Sequence, residues 1–421
     1  MAVFYFFEAL LVWQGIASFV SGLRFLLYVR REMRRSPSSY TPCASVFVPC
    51  RGLDQGLREN LRAVLSQRYP SYEVIFVADN ADDPALGLIA EECATLAGKT
   101  GAPQTRVVVA GPATESGQKV HNLIAGVRVA DPASEVFIFV DTDARPHSDW
   151  LRALVAPLAD EKIGAATGYR WFMPVTGGMA SHLRSVWNAS IASALGERVE
   201  RNFCWGGSTA VRRETFARLD VAERWRGALS DDFTLTRVLR EAKLPIHFVP
   251  QCLTATHEDC GFRELLEFTT RQIKITRVYA PPLWKLLLAG NFLFVTTFFG
   301  GIGLTLWRAL RGAGFWPATL ILGLIFILGL GKAAVRLRAV SLPLAADGVR
   351  LGSAAMLAHL CLWPLAAVVY LYNALAAAGS RRIRWRGITY DLKSPAETVI
   401  IASAPDSPAV VPEGKSARPY A

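Results

Sequence analysis

The stretch Glu135–Leu151, EVFIFVDTDARPHSDWL, decides how the chain is read. Five apolar residues, Val136 to Val140, lead into Asp141, and a second carboxylate follows at Asp143. Two like charges just past a buried strand repel unless a cation lies between them. A hard divalent ion with oxygen ligands is the simple answer, and Mg²⁺ characteristically shares such carboxylates with substrate phosphates. Asp-Thr-Asp therefore points to a metal–diphosphate site, with a solvated turn as the alternative. A phosphatase of the haloacid-dehalogenase type also carries Asp-x-Asp after a strand, but on its first strand and followed by Thr or Gly-Thr. Here the motif follows the fourth strand and continues Ala144-Arg145.

Outward from that strand, apolar runs alternate with helical patterns. ASVFVPC (Ala44–Cys50), YEVIFVAD (Tyr72–Asp79) and TRVVVAG (Thr105–Gly111) read as strands, and LRENLRAVLSQ (Leu57–Gln67) and KVHNLIAGVRVA (Lys119–Ala130) as helices. Runs such as VVV and FIFV suit parallel strands covered on both faces. The expected fold class is α/β, a Rossmann-like, mostly parallel sheet with ligands at the carboxyl ends of its strands. Arg51, Asp79, Asp141 and Asp143 all fall at such ends.

Further candidates lie along the same zone. Asp79 at a strand end suits the N–H edge of a nucleobase, or an Asx-turn. Lys119 and Asn122 in GQKVHNL stand at a helix start, where they either meet a nucleotide or cap the helix. In ALSDDFTLTRVLREAKLP, Ser230 caps a helix whose first turn holds Asp231 and Asp232. A helix N-terminus favours the ionised carboxylate, the form a general base needs; dipole complementation is the plainer reading. Trp205-Gly206-Gly207 permits close backbone approach to a ligand, or simply a tight turn.

The chain has 421 residues, a formal net charge of +11 and a mean hydropathy of +0.26. Leu286–Trp307, Gly312–Gly331 and Leu351–Gly379 contain no Asp, Glu, Lys or Arg. Each is long enough for a hydrocarbon core, which needs roughly 20 apolar residues. Val3–Val29 is another such stretch; it lacks a basic n-region and a small-residue cleavage site and reads as an uncleaved anchor. The cluster RREMRR (Arg30–Arg35) after it puts its C-terminal end on the cytoplasmic side. Residues 1–35 are then anchor and basic flank, 44–280 the soluble domain, 283–379 membrane, and 380–421 a basic tail that is disordered from Ala402. The whole reads as a multi-pass integral membrane protein with a cytoplasmic catalytic domain. A third crossing after 351 would carry RRIRWRGITYDL (Arg381–Leu392) outside, against the charge bias. Because Pro364 interrupts that segment, it is read as broken or re-entrant with the tail inside. Seven cysteines without a CxxC pair make neither a disulfide framework nor a zinc site. The basic charge tracks the membrane ends, so an anionic membrane face is the expected partner and nucleic acid is not.

Together, NLRAVLSQRYPSYEVIFVADNADDPAL, GQKVHNLIAGV, FIFVDTDARP, CWGGSTAVRRETF, LSDDFTLTRVLREA and FTTRQIKITR resemble, in order, the inverting family-two glycosyltransferases of the GT-A fold, most closely the ceramide glucosyltransferase branch. The resemblance implies that Pro49, Arg51 and Asp79 face the nucleotide of a UDP-sugar, with Lys119 and Asn122 near uridine. It implies that Asp141 and Asp143 hold Mg²⁺ or Mn²⁺ on the diphosphate, and that Asp232 is the catalytic base. Trp205, Gly206, Gly207, Asp231, Arg271 and Lys274 fall on the acceptor and diphosphate side. The family closes its site with Q/R-x-x-R-W, whereas this chain has Arg271, Gln272, Ile273, Lys274 and Ile275. Lysine keeps the charge but not the guanidinium fork, and the aromatic is gone. The implied acceptor is a lipid such as ceramide and the implied donor UDP-glucose; hopanoid-pathway enzymes using a UDP-N-acetylhexosamine share the resemblance. A nucleotide-binding transporter or scaffold is the reading from another class. A polysaccharide synthase needs more membrane helices and the intact Trp.

Overall fold

A computed structural model of the protein describes residues 2–35, 38–96, 101–314 and 316–403. A long helix α1 (Ala2–Glu32) enters an α/β domain formed by β1 (Ala44–Pro49), α2 (Leu57–Leu65), β2 (Tyr72–Ala78), α3 (Pro84–Leu96), β3 (Gln104–Val109), α4 (Gln118–Arg128), β4 (Val136–Phe139) and α5 (Trp150–Val155). The domain continues through β5 (Ala165–Met173), α6 (Met179–Ala192), β6 (Thr209–Arg212), α7 (Arg213–Arg218), α8 (Val221–Arg224), α9 (Asp231–Glu241), β7 (Ile246–His257) and α10 (Phe262–Tyr279). Four apolar helices follow, α11 (Pro281–Leu310), α12 (Trp316–Ala346), α13 (Ser353–Cys361) and α14 (Trp363–Gly379). The strands β8 (Arg382–Trp385), β9 (Ile388–Ser394) and β10 (Glu397–Ser403) come last.

The main sheet has seven strands in the order β3-β2-β1-β4-β6-β5-β7. The β1–β2, β2–β3, β1–β4 and β5–β7 pairs are parallel, and β6 alone runs against its neighbours β4 and β5. Alternation along the central strands explains the two cores. Val46, Val48, Val74, Phe76, Val136 and Ile138 pack on one face against α2, α3 and α5. Phe47, Ile75, Val77, Phe137 and Phe139 pack on the other against α4 and α9. Each such side chain, fully buried, contributes roughly 1.5–3 kcal/mol. One expectation is corrected: β3 is not covered on both faces. It is the edge strand, and Val107 and Val109 are 51% and 49% exposed. The apolar run reflects strand propensity rather than a buried position.

The parallel register aligns Ala44 with Tyr72 and with Val136. The carboxyl ends of β1, β2 and β4 therefore lie together, which brings Arg51, Asp79 and Asp141 to one edge. Three helices among the described residues are long and apolar enough to cross a membrane: Ala2–Glu32, Pro281–Leu310 and Trp316–Ala346. The pair α13–α14 is bent by 63° at Leu362. The segment after Gly379 holds more order than a basic tail. Arg382–Ser403 forms an antiparallel three-stranded sheet, so Ala402 and Ser403 belong to β10 rather than to a disordered end. Alternating Ile383, Ile388, Tyr390 and Leu392 bury one face of it against Ile275 and Val278 of α10. The rest of the stretch expected to be disordered, 404–421, lies outside the described residues.

Candidate active site

A cavity of about 920 Å³ lies at the carboxyl edge of the sheet, within the usual range for small-molecule sites. Asp141 and Asp143 line it just beyond β4, where Val140 N still donates to Phe47 O at 3.1 Å. The two carboxylates are held by cations of the protein itself. Arg170, on β5, donates from Nη1 to Asp143 Oδ2 at 2.7 Å and from Nη2 to Asp141 Oδ2 at 3.3 Å. Lys119 Nζ, from the first turn of α4, lies 2.7 Å from Asp141 Oδ1 and 3.2 Å from Asp231 Oδ1. Burial pushes both Asp141 and Asp143 up. Lys119 and Arg170 more than offset it at Asp141 and hold that carboxyl below its ordinary range. At Asp143 burial and the neighbouring Asp141 charge win over Arg170, and the carboxyl is raised.

The opposite wall is the N-terminus of α9. Ser230 accepts from Phe233 N at 3.3 Å as N-cap and donates to Asp232 Oδ1. Asp232 also accepts from Phe233 N at 2.7 Å, and its Oδ2 lies 3.4 Å from Gly206 N, facing the cavity. Asp231 is buried and raised to about 6, by burial first, with Asp232 and Asp141 adding to it against Lys119. A Cβ at Gly206 would come within 2.5 Å of both Asp231 Oδ2 and Lys119 Nζ, so a larger residue there would have to displace these two charged side-chain ends. Trp205 lies under the Arg170 guanidinium, 4.8 Å from ring centroid to Cζ. Arg271 of α10 lowers to about 10, through burial and then its like-charged neighbours Arg386 and Arg170. A group of cations crowded enough to disfavour one another is a ready counterpart for a polyanion.

Other expected residues stand further back. Pro49 and Arg51 line the cavity, and Asp79 ion-pairs with Arg51. Asn122 reaches the wall, but its amide is engaged: Nδ2 donates to Val77 O at 3.1 Å and Oδ1 accepts from Gln118 Nε2 at 2.8 Å. Lys274 departs from expectation. It is not among the lining residues, because its position on α10 faces β8, where Nζ donates to Arg382 O at 2.7 Å. Residues not anticipated are Arg170, Asp54, Trp385, Arg386 and Tyr390. The sequence's one trace of the first is a lone arginine inside the apolar run GYRWFM, which does not tell where the side chain points. The last three come from the C-terminal sheet, where Tyr390 OH accepts from Gln118 N at 3.2 Å.

Among the described residues no group of three or more His, Cys, Asp or Glu side chains could cage a metal. The donor set at Asp141 and Asp143 nevertheless suits Mg²⁺ or Mn²⁺, which bind through one or two carboxylates and take the remaining ligands from substrate phosphates and water. The cavity does not end at these charges. It continues along Phe268 and Trp187 to Tyr370 of α14 and to Leu283 and Leu287 at the start of α11.

The profile of a family described as glycosyl transferase family 21 matches residues 10–397. Among solved structures, a mannosyltransferase from Pyrobaculum calidifontis in complex with GDP-Man and Mn²⁺ is 20% identical, with 89% of this chain and 98% of that one covered and a TM-score of 0.46. Glucosyl-3-phosphoglycerate synthase from Mycobacterium tuberculosis in complex with Mn²⁺ and UDP-glucose is 16% identical over 56% of this chain and 78% of that one, with a TM-score of 0.36.

Proposed function

We propose that this chain, which belongs to glycosyl transferase family 21, transfers a hexose from a UDP-sugar, UDP-glucose first among them, to a hydroxyl of a membrane lipid such as a ceramide. Its α/β fold is of the GT-A kind, and it is a glycosyltransferase; the motifs resembled family two, and family 21 is the one that matches. The observation that supports the lipid reading is that one continuous cavity is polar at Asp141, Asp143 and Asp232 and apolar at Leu283 and Leu287 on a helix long enough to cross a membrane. A sugar nucleotide suits one end and an acyl-bearing acceptor the other.

In this reading Asp232 takes the proton from the acceptor hydroxyl as its oxygen attacks the anomeric carbon. The bond from that carbon to the diphosphate breaks with inversion, and UDP leaves with the electron pair. Lys119, Arg170 and Arg271 bring three cations to the side where charge develops on the leaving group. A divalent ion held by Asp141 and Asp143 would add charge neutralisation at the diphosphate. Gly206 supports the base through its backbone N–H near Asp232.

The places where helix ends are tied support the membrane reading. Gln251 Nε2 donates to Glu32 O at 2.6 Å at the end of α1, and His147 lies 3.7 Å from Asp347 just past α12. Arg277 donates to Ala377 O near the end of α14. We read α1, α11 and α12 as crossings and the bent α13–α14 as re-entrant, so that Arg381–Leu392 returns to the catalytic, cytoplasmic side.

The purified chain in nanodiscs is expected to release UDP from UDP-glucose only when a hydroxyl-bearing lipid and Mg²⁺ or Mn²⁺ are both present, and EDTA is expected to stop it. Mass spectrometry of lipids from a host expressing the chain identifies sugar and acceptor together. A host that gains no glycosylated lipid, beside purified protein inert toward UDP-sugars, sinks the reading.

A further inference from the structure

Helix α10 lacks the Arg-Trp pair that would close the site: Lys274 turns to Arg382 O, and Ile275 is buried against the C-terminal sheet. The cavity has a tryptophan and an arginine on that side all the same, and they come from the tip of the β8–β9 hairpin. Trp385 lies against Arg271, its ring centroid 5.5 Å from the guanidinium carbon. Arg386 ion-pairs with Asp54, and Asp54 Oδ2 accepts from Thr142 Oγ1 at 2.5 Å. Thr142 is the residue between Asp141 and Asp143, so the tip is linked by two contacts to the paired aspartates. From the other side, Arg51 Nε donates to Arg386 O at 3.0 Å.

The turn itself is unusual. Trp385 pairs with Ile388, which leaves a two-residue loop, Arg386-Gly387, with φ of 49° and 75°. A hairpin loop with both residues left-handed favours Asn-Gly, Asp-Gly or Gly-Gly. Arginine is a poor choice for the first position on conformational grounds. An uncommon left-handed residue whose side chain lines a cavity is a place to look for function.

We propose that the Trp385–Arg386 tip is a donor-binding element: Arg386 presents its guanidinium fork to the diphosphate, exchanging Asp54 for phosphate oxygens, and Trp385 supplies the aromatic wall beside Arg271. The hairpin thus provides from the C-terminal sheet what α10 omits. The inference rests on the sugar-nucleotide reading above.

The test is UDP binding by calorimetry, with Mg²⁺, on the full-length protein in nanodiscs, alongside thermal melting. Arg386→Asn is expected to weaken UDP about tenfold or more, as loss of a bidentate charged contact does, with the protein still melting cooperatively because Asn suits the turn even though Asp54 loses its ion pair. Arg386→Lys keeps the charge but not the fork, and is expected to bind UDP more weakly than wild type at the wild-type melting temperature. Trp385→Phe is expected to retain affinity that Trp385→Ala loses. If wild type binds UDP and Arg386→Asn or Arg386→Lys binds it equally tightly, the tip is only a structural cover and the inference falls. A wild-type chain that binds no UDP overturns the donor reading itself.

Discussion

Arg170 is what holds Asp141 and Asp143 together, and it shows how far residue types alone could lead. Their spacing demanded a cation, and a divalent ion was the cation that sequence reasoning could name. A guanidinium from β5, 27 residues beyond Asp143, could not be named, because a charge inside a strand shows nothing of where it points. Removing it tests the same electrostatics. Arg170→Ala leaves two carboxylates short of a partner and is expected to cost about 3 kcal/mol, the scale for breaking a buried ion pair. Added Mn²⁺ should restore part of the melting temperature in the variant. A variant as stable as wild type, or indifferent to Mn²⁺, would refute this account of the pair. Asp231 sets a second expectation. Its carboxyl is raised to about 6, so above that pH it is ionised and holds Lys119, and below it a proton removes that partner. Transfer, as kcat/KM for the donor, should therefore fall as pH drops through about 6. In Asp231→Asn this acid limb should vanish, from a lower plateau.

At the scale of elements, legibility followed burial except at β3, an exposed edge strand that its apolar run gave away all the same. β1, β2 and β4 were readable because strands covered on both faces are written as unbroken apolar runs. α2, α4 and α9 were readable from their periodicity, and α9 also from the Ser230 cap. β5 to β7 gave weaker signals. β5 carries Gly168 and Arg170, β6 has four residues, and Pro250 and Gln251 interrupt β7. The C-terminal sheet went unread for a different reason. Its charges, Arg381, Arg382, Arg384 and Arg386, look like a juxtamembrane flank, and only the alternation of Ile388, Tyr390 and Leu392 marks a strand with one buried face. The candidate site split the same way. The aspartates at strand and helix ends were legible, while the residues brought by long-range packing, Arg170, Trp385 and Tyr390, were not.

At the scale of the whole molecule, the catalytic domain is tied to the ends of α1, α12 and α14 and continues directly into α11. In the topology proposed above these ends share one face of the membrane, and the 63° bend in α13–α14 permits that return. Single cysteines at Asp160 and Lys393 should be labelled by an impermeant maleimide from the same side of sealed vesicles, and one at Ala313 from the other. Labelling of Lys393→Cys together with Ala313→Cys would contradict the re-entrant reading. The position of the β8–β9 hairpin also has a consequence for synthesis on the ribosome. Among the described residues every apolar helix precedes it in the chain, and the wall formed by Trp385, Arg386 and Tyr390 is translated after all of them. A nascent chain has these three long apolar helices and its paired aspartates before it has a complete pocket, so the site closes only after those helices have been made.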